Sequence, residues 1–369
     1  MELVTVDIGD RSYRIEIEAG CLDRLGTFVR DTCGPGGTKA AVVTSETVAG
    51  LYLSRAVDSL EKSGFAVTAV VIPDGEKQKT LATYERILTR LIEERFERSS
   101  VVVPLGGGVV GDIAGFVAAT LLRGVSFVQV PTTIVAQADS SVGGKVAVDH
   151  PLGKNLIGSF YQPQGVLIDP RVLVTLAPRE VVSGMGEVVK HAVIRDREFF
   201  GFLEEYLDTI TGFTAPDDVM ERFVASNCRI KADVVSRDER ETGLRAILNY
   251  GHTVGHALET VTGYCRFSHG EAVALGMIAA AAIACRKGLM SSEDRDRQNR
   301  LLERVGLNRD LSGVAAGDLL EAMKRDKKVS RGTVRFVLPD EIGSVRVHGD
   351  VTEEEIGAGV RDLFDYLAP

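Results

Sequence analysis

Three of the six histidines of this 369-residue chain lie close together in the sequence. His252 and His256 are four residues apart, so on a helix both imidazole rings point to the same side. His269 follows shortly afterwards and opens the next apolar helical pattern. Imidazoles at this spacing are common ligands of zinc, although a bare pair is more often solvated or buried in a core. The third histidine shifts the interpretation toward a metal site.

One upstream carboxylate suits the same site. Glu187 and Lys190 are three residues apart within an apolar helical pattern, so they share a helix face. Such a pair is usually a surface salt bridge, but the flanking valines indicate that this one lies in the wall of a site and not on a solvated face. One carboxylate and two imidazoles leave a zinc position open for substrate oxygens, as in catalytic sites. His191 is an alternative ligand.

A glycine-rich loop follows a predicted strand. Gly106, Gly108 and Gly111 have the G-x-G-x-x-G spacing, which lets backbone N–H groups approach a pyrophosphate at a helix N-terminus. No acidic residue closes the next strand, as it does in an ordinary dinucleotide-binding unit. The spacing therefore leaves both a dinucleotide site and a simple glycine turn open. The polar loop of residues 73–79 offers groups for sugar hydroxyls, or it is a solvated start of a helix.

Several polar side chains lie in glycine-rich or apolar contexts that favour binding of an anion. Together they would suit a substrate that carries both phosphate and carboxylate. They are Arg123, Lys145, Lys154, Asn155, Lys190, Lys231, Arg245 and one of Lys327 and Lys328.

The elements that must position these groups change character part-way along the chain. Strand patterns at residues 39–44, 66–72, 100–104 and 125–130 alternate with helical patterns, after a hairpin in residues 1–18. This alternation predicts a Rossmann-like, mostly parallel α/β domain over residues 1–177. Residues 178–369 read mainly as helices, at 181–194, 219–235, 249–262, 271–286 and 353–366, with a small hairpin at 334–338 and 344–347.

The composition narrows the function further. The net charge of −9, the absence of Trp and the 6% aromatic content argue against nucleic-acid binding. The five cysteines form no C-x-x-C pair, which favours reduced thiols. We recognise no signal segment, and the apolar stretches look too short for a bilayer span. We therefore expect a cytoplasmic protein that acts on a small molecule.

Four segments closely resemble the 3-dehydroquinate synthase family of sugar phosphate cyclases. They are residues 106–145, 151–163, 231–259 and 269–277, and the likeness runs across nearly the whole chain. It implies a dehydroquinate synthase-like fold and a homodimeric carbon–oxygen lyase of the shikimate pathway of aromatic amino acid biosynthesis. Its substrate would be 3-deoxy-D-arabino-heptulosonate 7-phosphate and its products 3-dehydroquinate and phosphate. The implied steps are transient oxidation by NAD, β-elimination of phosphate, re-reduction, ring opening and aldol closure, with zinc or cobalt as the divalent metal.

The resemblance also implies roles for individual residues. It places Glu187, His252 and His269 on the metal, and His256 near the substrate. It assigns NAD binding to Glu76, Lys79, Gly107, Gly108, Asp112, Thr132, Thr133, Asp139, Lys145, Lys154, Thr175 and Leu176. It assigns substrate contacts to Lys145, Asn155, Lys190, Lys231, Arg245, Asn249, His256 and Lys327 (favoured over Lys328), with Arg123 supplied by a second subunit. The chain departs from the family at Ser45, often Asp, at Gly186, commonly Ala, and at His191-Ala192, commonly Tyr-Gly.

Three other functions are weighed against this one. A metal-dependent polyol dehydrogenase would share the glycine loop and histidines but would not need Lys145, Lys154 and Asn155. A sister cyclase that makes an inosose or a valiolone would share the scheme but not a substrate carboxylate, for which Arg245 and Lys231 are available. A non-catalytic binding protein would not need a complete metal triad together with a cofactor loop.

Overall fold

The computed structural model describes residues 1–329 and 335–368, and the side chains of residues 326–329 lie outside this description. Two compact units are present. The first comprises Met1–Leu176 and Pro216–Arg240, and the second comprises Ala177–Ala215 and Glu241–Pro369. The first break lies next to the predicted boundary after residue 177. The segment Pro216–Arg240, which the sequence analysis placed in the helical half, belongs to the first unit.

The strands and helices are numbered in chain order. The strands are β1 (Glu2–Val6), β2 (Tyr13–Ile17), β3 (Lys39–Ser45), β4 (Ala66–Ile72), β5 (Val101–Gly106), β6 (Ser126–Pro131), β7 (Lys145–His150), β8 (Gly153–Phe160), β9 (Gly165–Ile168), β10 (Phe336–Glu341) and β11 (Ser344–His348). The helices are α1 (Leu25–Cys33), α2 (Glu46–Val48), α3 (Ser54–Lys62), α4 (Leu81–Glu93), α5 (Gly108–Thr120), α6 (Pro178–Arg195), α7 (Arg197–Thr211), α8 (Asp217–Arg237), α9 (His252–Val261), α10 (His269–Arg286), α11 (Ser292–Val305), α12 (Ala316–Val329) and α13 (Glu353–Leu367).

A seven-stranded sheet forms the centre of the first unit, in the order β1-β2-β9-β6-β5-β3-β4. Only β1 runs antiparallel to its neighbour, β2, and the remaining pairs are parallel. Apolar side chains cover both faces, with Phe28 of α1 and Leu60 of α3 in one cluster and Ile87 of α4 and Ile113 of α5 in the other. The predicted α/β architecture with a mostly parallel sheet is confirmed.

Three strands escaped the sequence analysis for local reasons. β9 is only four residues long, and β7 and β8 form a separate antiparallel hairpin. Gly153 and Gly158 weaken the strand pattern of β8, and six of its eight residues are exposed. A short strand and a glycine-containing, solvated one both lack the apolar run or strict alternation that reveals a strand.

Helix α10 is the most buried helix of the second unit. It packs against α9, α6 and α13, and 83% of its 18 residues are buried within the protein. Its length and hydropathy alone would suit a membrane span, but this degree of burial is that of a core helix. The helices α7, α11 and α12 were not predicted. In α11 the apolar stripe is narrow, with Leu301, Leu302 and Val305 among many charged residues.

Candidate active site

Three imidazoles converge in the second unit, at the start of α9 and the start of α10. The nitrogen atoms that His252, His256 and His269 offer as ligands all lie within 4.8 Å of one another. The ring centroids of His252 and His269 are 5.2 Å apart, and those of His256 and His269 are 5.8 Å apart. The predicted proximity of these three histidines is therefore present in the fold.

Hydrogen bonds hold two of these rings in a defined orientation. The Nδ1 atom of His252 lies 3.2 Å from the carbonyl oxygen of Tyr250, so Nδ1–H donates there. The Nδ1 atom of His269 lies 3.3 Å from a carboxylate oxygen of Glu259. Both contacts leave Nε2 with its lone pair, which is how an outer carboxylate or carbonyl orients a metal-binding imidazole. Glu259 was not predicted, because its only signal in the sequence is an acidic residue within the apolar pattern of α9.

A buried ion pair completes the cluster. Glu187 and Lys190 are 1% and 2% exposed on α6, and Lys190 Nζ donates to Glu187 Oε2. The other carboxylate oxygen, Oε1, lies 3.4 Å from His269 Nε2. The pair is therefore buried, as the flanking valines indicated, and does not lie on a solvated face.

The electrostatics of the two oriented histidines differ. Burial, reinforced by the charge of Lys190, lowers the pKa of His252 to about 3, so this ring is neutral at physiological pH. Burial also acts to lower the pKa of His269, but its hydrogen bond to Glu259 and the charge of Glu187 outweigh burial and raise it. Neutral imidazole and carboxylate are the forms that bind a metal ion.

This donor set fits a divalent transition metal. Imidazole nitrogens and a carboxylate oxygen are ligands that zinc and cobalt accept, and three of them leave a position for substrate. The choice of Glu187, His252 and His269 as ligands, with His256 beside them, stays a prediction. His191 is fully buried in α6 and is not part of the three-histidine cluster found among the described residues.

Ten of the twelve residues predicted to bind NAD lie in the first unit where the parallel strands end, and the other two, Lys145 and Lys154, lie on the β7–β8 hairpin. Ser45 pairs with Ile72, Thr44 with Leu105, and Gly106 with Pro131, so the carboxyl ends of these strands are level. Ligands of open α/β sheets bind at this edge. The predicted residues follow four of the strands: Glu76 and Lys79 after β4, Gly107, Gly108 and Asp112 after β5, Thr132, Thr133 and Asp139 after β6, and Thr175 and Leu176 after β9.

The glycine loop lies tightly against the segment that follows β6. A Cβ atom on Gly107 would lie 3.1 Å from Thr133 Cγ2, and one on Gly108 would lie 3.2 Å from Ser140 Oγ. The amide of Thr132 donates to the carbonyl of Gly106 at 3.0 Å. The glycines thus allow the N-terminus of α5 to approach the neighbouring loop closely, and Gly107 and Gly108 there are half-buried.

Lys79 links three of the predicted groups. Its Nζ atom lies 2.6 Å from Asp112 Oδ2 and donates to the side-chain oxygen of Asn155. Burial raises the pKa of Asp112 to about 6, against the opposing pull of the Lys79 charge. Nearby, Lys154 forms an ion pair with Glu76 at 3.4 Å. These contacts join the loop after β4, helix α5 and the β7–β8 hairpin.

The β7–β8 hairpin presents two of the predicted substrate residues. Lys145 and Asn155 are both exposed, and Asn155 has a positive φ of 56°. The amide N–H of Asn155 donates to the carboxylate of Asp149 at 2.7 Å, which supports this strained turn. Sequence reasoning did not identify Asp149. On α8, the buried Lys231 forms an ion pair with Asp139.

The remaining predicted residues are divided between the two units. Arg245 is 2% exposed, and Asn249 Nδ2 lies 3.5 Å from Glu241 Oε1, both in the second unit. Arg123, in the first unit, is exposed and has a positive φ of 70°. Lys327 and Lys328 lie on α12, but their side chains fall outside the described part of the chain.

Comparison with known proteins identifies the family. Residues 69–183 match the family model described as 3-dehydroquinate synthase N-terminal, and residues 184–329 match the one described as 3-dehydroquinate synthase C-terminal. A 3-dehydroquinate synthase of Desulforamulus reducens is 48% identical over 357 residues, covering 96% of this chain and 98% of that protein. The chain belongs to the 3-dehydroquinate synthase family. Another member, from Geobacter metallireducens, is 50% identical over 348 residues, covering 94% of this chain and 95% of that protein.

Solved structures confirm the fold. A 2-deoxy-scyllo-inosose synthase complexed with carbaglucose-6-phosphate, NAD+ and Co2+ is 28% identical, with a TM-score of 0.87 over 98% of this chain and 100% of that one. A glycerol dehydrogenase from Schizosaccharomyces pombe is 18% identical, with a TM-score of 0.68 over 96% of this chain and 89% of that one, and it shows the fold alone.

Proposed function

We propose that this chain is a 3-dehydroquinate synthase, which converts 3-deoxy-D-arabino-heptulosonate 7-phosphate to 3-dehydroquinate and phosphate. The observation that carries this proposal is the 48–50% identity to 3-dehydroquinate synthases over nearly the full length. The inosose synthase, a cyclase acting on a different sugar phosphate, is 28% identical. The activity makes the chain a phosphate-eliminating lyase of the shikimate pathway.

Glu187, His252 and His269 are the proposed ligands of one divalent metal, zinc or cobalt, and NAD is the proposed redox cofactor. When bound, the metal would acidify a substrate hydroxyl, and NAD would reversibly accept a hydride from the carbon that carries this hydroxyl. Lys190 holds the Glu187 carboxylate in one orientation and compensates its buried charge. Tyr250 and Glu259 fix the rings of His252 and His269. His256, four residues from His252, is the histidine proposed to contact the substrate.

The proposed NAD site is the carboxyl edge of the parallel sheet. The N-terminus of α5 offers the backbone N–H groups of Gly107 and Gly108 to the pyrophosphate. Glu76, Lys79 and Asp112 supply polar contacts from the loops beside it. The other proposed contacts are Thr132, Thr133, Asp139, Lys145, Lys154, Thr175 and Leu176.

The proposed substrate contacts come from both units and suit different anionic groups of the substrate. In the first unit, Lys145 and Asn155 offer N–H donors suited to a phosphate, and Lys231 offers a cation whose charge Asp139 now balances. In the second unit, Arg245 has the planar donor geometry suited to a carboxylate. Lys190, Asn249, His256 and Lys327 are the remaining proposed contacts.

We also place this enzyme in the cytoplasm as a homodimer. Its five cysteines carry free thiols, as expected of a reducing compartment. Leu122, Leu152, Leu156 and Phe160 are exposed by 39–86% on the β7–β8 hairpin and the turn after α5. Exposed apolar side chains of this size mark protein interfaces. Arg123 adjoins Leu122, so a second copy on this surface would receive Arg123 from its partner.

Phosphate release per NAD tests the function. Metal-loaded protein is incubated with the heptulosonate phosphate and substoichiometric NAD, while free phosphate and the absorbance of NADH are followed. Many phosphates per NAD without accumulating NADH are expected, and the product is then identified as 3-dehydroquinate. Stoichiometric NADH would instead indicate a polyol dehydrogenase. No phosphate release with metal and NAD bound would refute the substrate assignment.

A further inference from the structure

A cavity lies in the second unit, away from the imidazole cluster. It has a volume of about 370 Å³ and is lined by residues of α10, α11 and α13. This volume is within the range of small-molecule sites. His269 begins α10, whereas Cys285, on the cavity wall, lies near its end. At 1.5 Å per residue the two positions are about 24 Å apart along the helix, so the cavity is distinct from the candidate active site.

Two arginines on the cavity wall are already neutralised by aspartates. Arg286 Nε and Nη2 each donate to the Asp362 carboxylate at 2.6 Å. Arg295 Nε and Nη2 donate to Asp296 Oδ1 at 2.9 and 2.7 Å. In each pair the guanidinium keeps its third nitrogen, Nη1, for another acceptor. The pairs therefore supply N–H donors without leaving a net positive charge.

Two further polar groups on the wall, the side-chain NH₂ of Asn299 and the carboxylate of Asp365, have no partner among the described residues. Asn299 is 5% exposed, and its Oδ1 atom is 3.5 Å from Gln298 Nε2. Within residues 1–329 and 335–368, no acceptor lies within hydrogen-bond distance of its Nδ2 atom. Asp365, on α13, likewise has neither a cation nor an N–H donor in that part of the chain. The Nδ2 atom of Asn299 is not among the fully buried polar atoms, so its N–H donors face the cavity, where water or a ligand accepts from them.

We propose that this cavity binds a small zwitterion of the α-amino-acid class with an apolar side chain. Its ammonium group binds Asp365, the one lining carboxylate without a cation. Its carboxylate accepts from Asn299 Nδ2 and from the guanidinium Nη1 of Arg295. Its side chain packs on the apolar lining residues, which are Ile278, Ala282 and the ring of Tyr366.

The charges that line the cavity favour a ligand with both an ammonium and a carboxylate group. Because both arginines are paired, Asp365 leaves one net negative charge, which a single ammonium group neutralises. The donors that remain favour an anionic acceptor, because hydrogen bonds to a charged group are the stronger ones. A ligand without the ammonium would leave Asp365 facing a second negative charge, and one without the carboxylate would leave the donors of Asn299 and Arg295 to water.

Calorimetric titration of the full-length protein with L-leucine tests the proposal. The comparison ligands are 4-methylpentanoate, which lacks the ammonium, and 3-methylbutylamine, which lacks the carboxylate. Saturable binding of L-leucine is expected, with each comparison ligand at least about tenfold weaker. Equal binding of either comparison ligand would overturn the proposal. So would the absence of saturable binding for both L-leucine and the larger L-phenylalanine.

A matched pair of variants assigns the binding to this cavity. Because Asp365 is exposed, the Asp365→Asn variant is expected to fold. It should bind L-leucine about tenfold or more weakly than the parent. Glu354→Gln makes the same carboxylate-to-amide change on the same helix but outside the cavity lining, and it should leave binding unchanged. Equal affinities for the two variants would show that the amino acid binds elsewhere. Thermal unfolding of both proteins verifies that they remain folded.

Discussion

Replacement of Glu259 by Gln tests whether the carboxylate behind His269 contributes to metal binding. Glu259 is buried on α9, and its carboxylate lies 3.3 Å from His269 Nδ1. Glutamine keeps the size of the side chain but removes the negative charge that makes the imidazole a better ligand. Outer-shell changes of this kind cost about 10–100-fold in metal affinity. Because this contact is long for a hydrogen bond, we expect about tenfold, or about 1.4 kcal/mol.

The assay is competition for zinc between the protein and a chromophoric chelator, at fixed pH and salt concentration. Asp350→Asn is a matched control, since Asp350 contacts His348 Nδ1 at the same distance of 3.3 Å but outside the cluster. Thermal unfolding of the metal-free proteins shows whether either change acts through stability. An unchanged zinc affinity in Glu259→Gln, with correct folding, would refute the assignment of Glu259 as an orienting group. Equal losses in both variants would also refute it.

Three further changes test other parts of the structure. Burial raises the pKa of Asp112 from 3.8 to about 6, so ionising this carboxyl destabilises the fold as pH rises through that interval. Urea unfolding should therefore show Asp112→Asn gaining about 3 kcal/mol relative to the parent from well below pH 3.8 to well above pH 6, and a pH-independent difference would contradict this. Gly186→Ala would place a Cβ atom 2.2 Å from the carbonyl oxygen of Gly270, so we expect about 1–3 kcal/mol lower stability and weaker zinc binding, and wild-type values for both would show that α6 and α10 separate freely. Mass spectrometry after brief alkylation should find Cys265 modified first and Cys21 and Cys228 protected, because burial raises the pKa of both protected thiols to about 12; early labelling of either buried thiol would refute this.

The sequence was sufficient where a pattern is local and strong. The parallel strands β3 and β5 are runs of buried, mostly apolar residues, and the helix of residues 81–93 has a clear apolar face. The glycine loop lies between a strand and a helix, as its spacing predicted. In each case periodicity and composition within one segment carry the signal.

Contacts between distant segments were beyond sequence reasoning. Nothing in the sequence near Lys79 indicates that it reaches Asp112 and Asn155, which follow it by 33 and 76 residues. The membership of α8 in the first unit could not be predicted for the same reason. The apolar face of this helix shows that it packs against another element but does not show which one. Glu259 was missed since an acidic residue in an amphipathic helix usually faces solvent.

The glycines around the histidines are best explained by the distance between α9 and α10, and not by flexibility. A Cβ atom on Gly276 would lie 1.9 Å from the carbonyl oxygen of Gly251, and one on Gly255 would lie 2.9 Å from that of Ala272. Any larger residue at either position would force the two helices apart. Because His252 and His256 are on α9 and His269 is on α10, such a separation would pull the three imidazoles away from one another. The repeated Gly-His pairs of the sequence thus combine a ligand with the small residue that lets the ligand reach its partners.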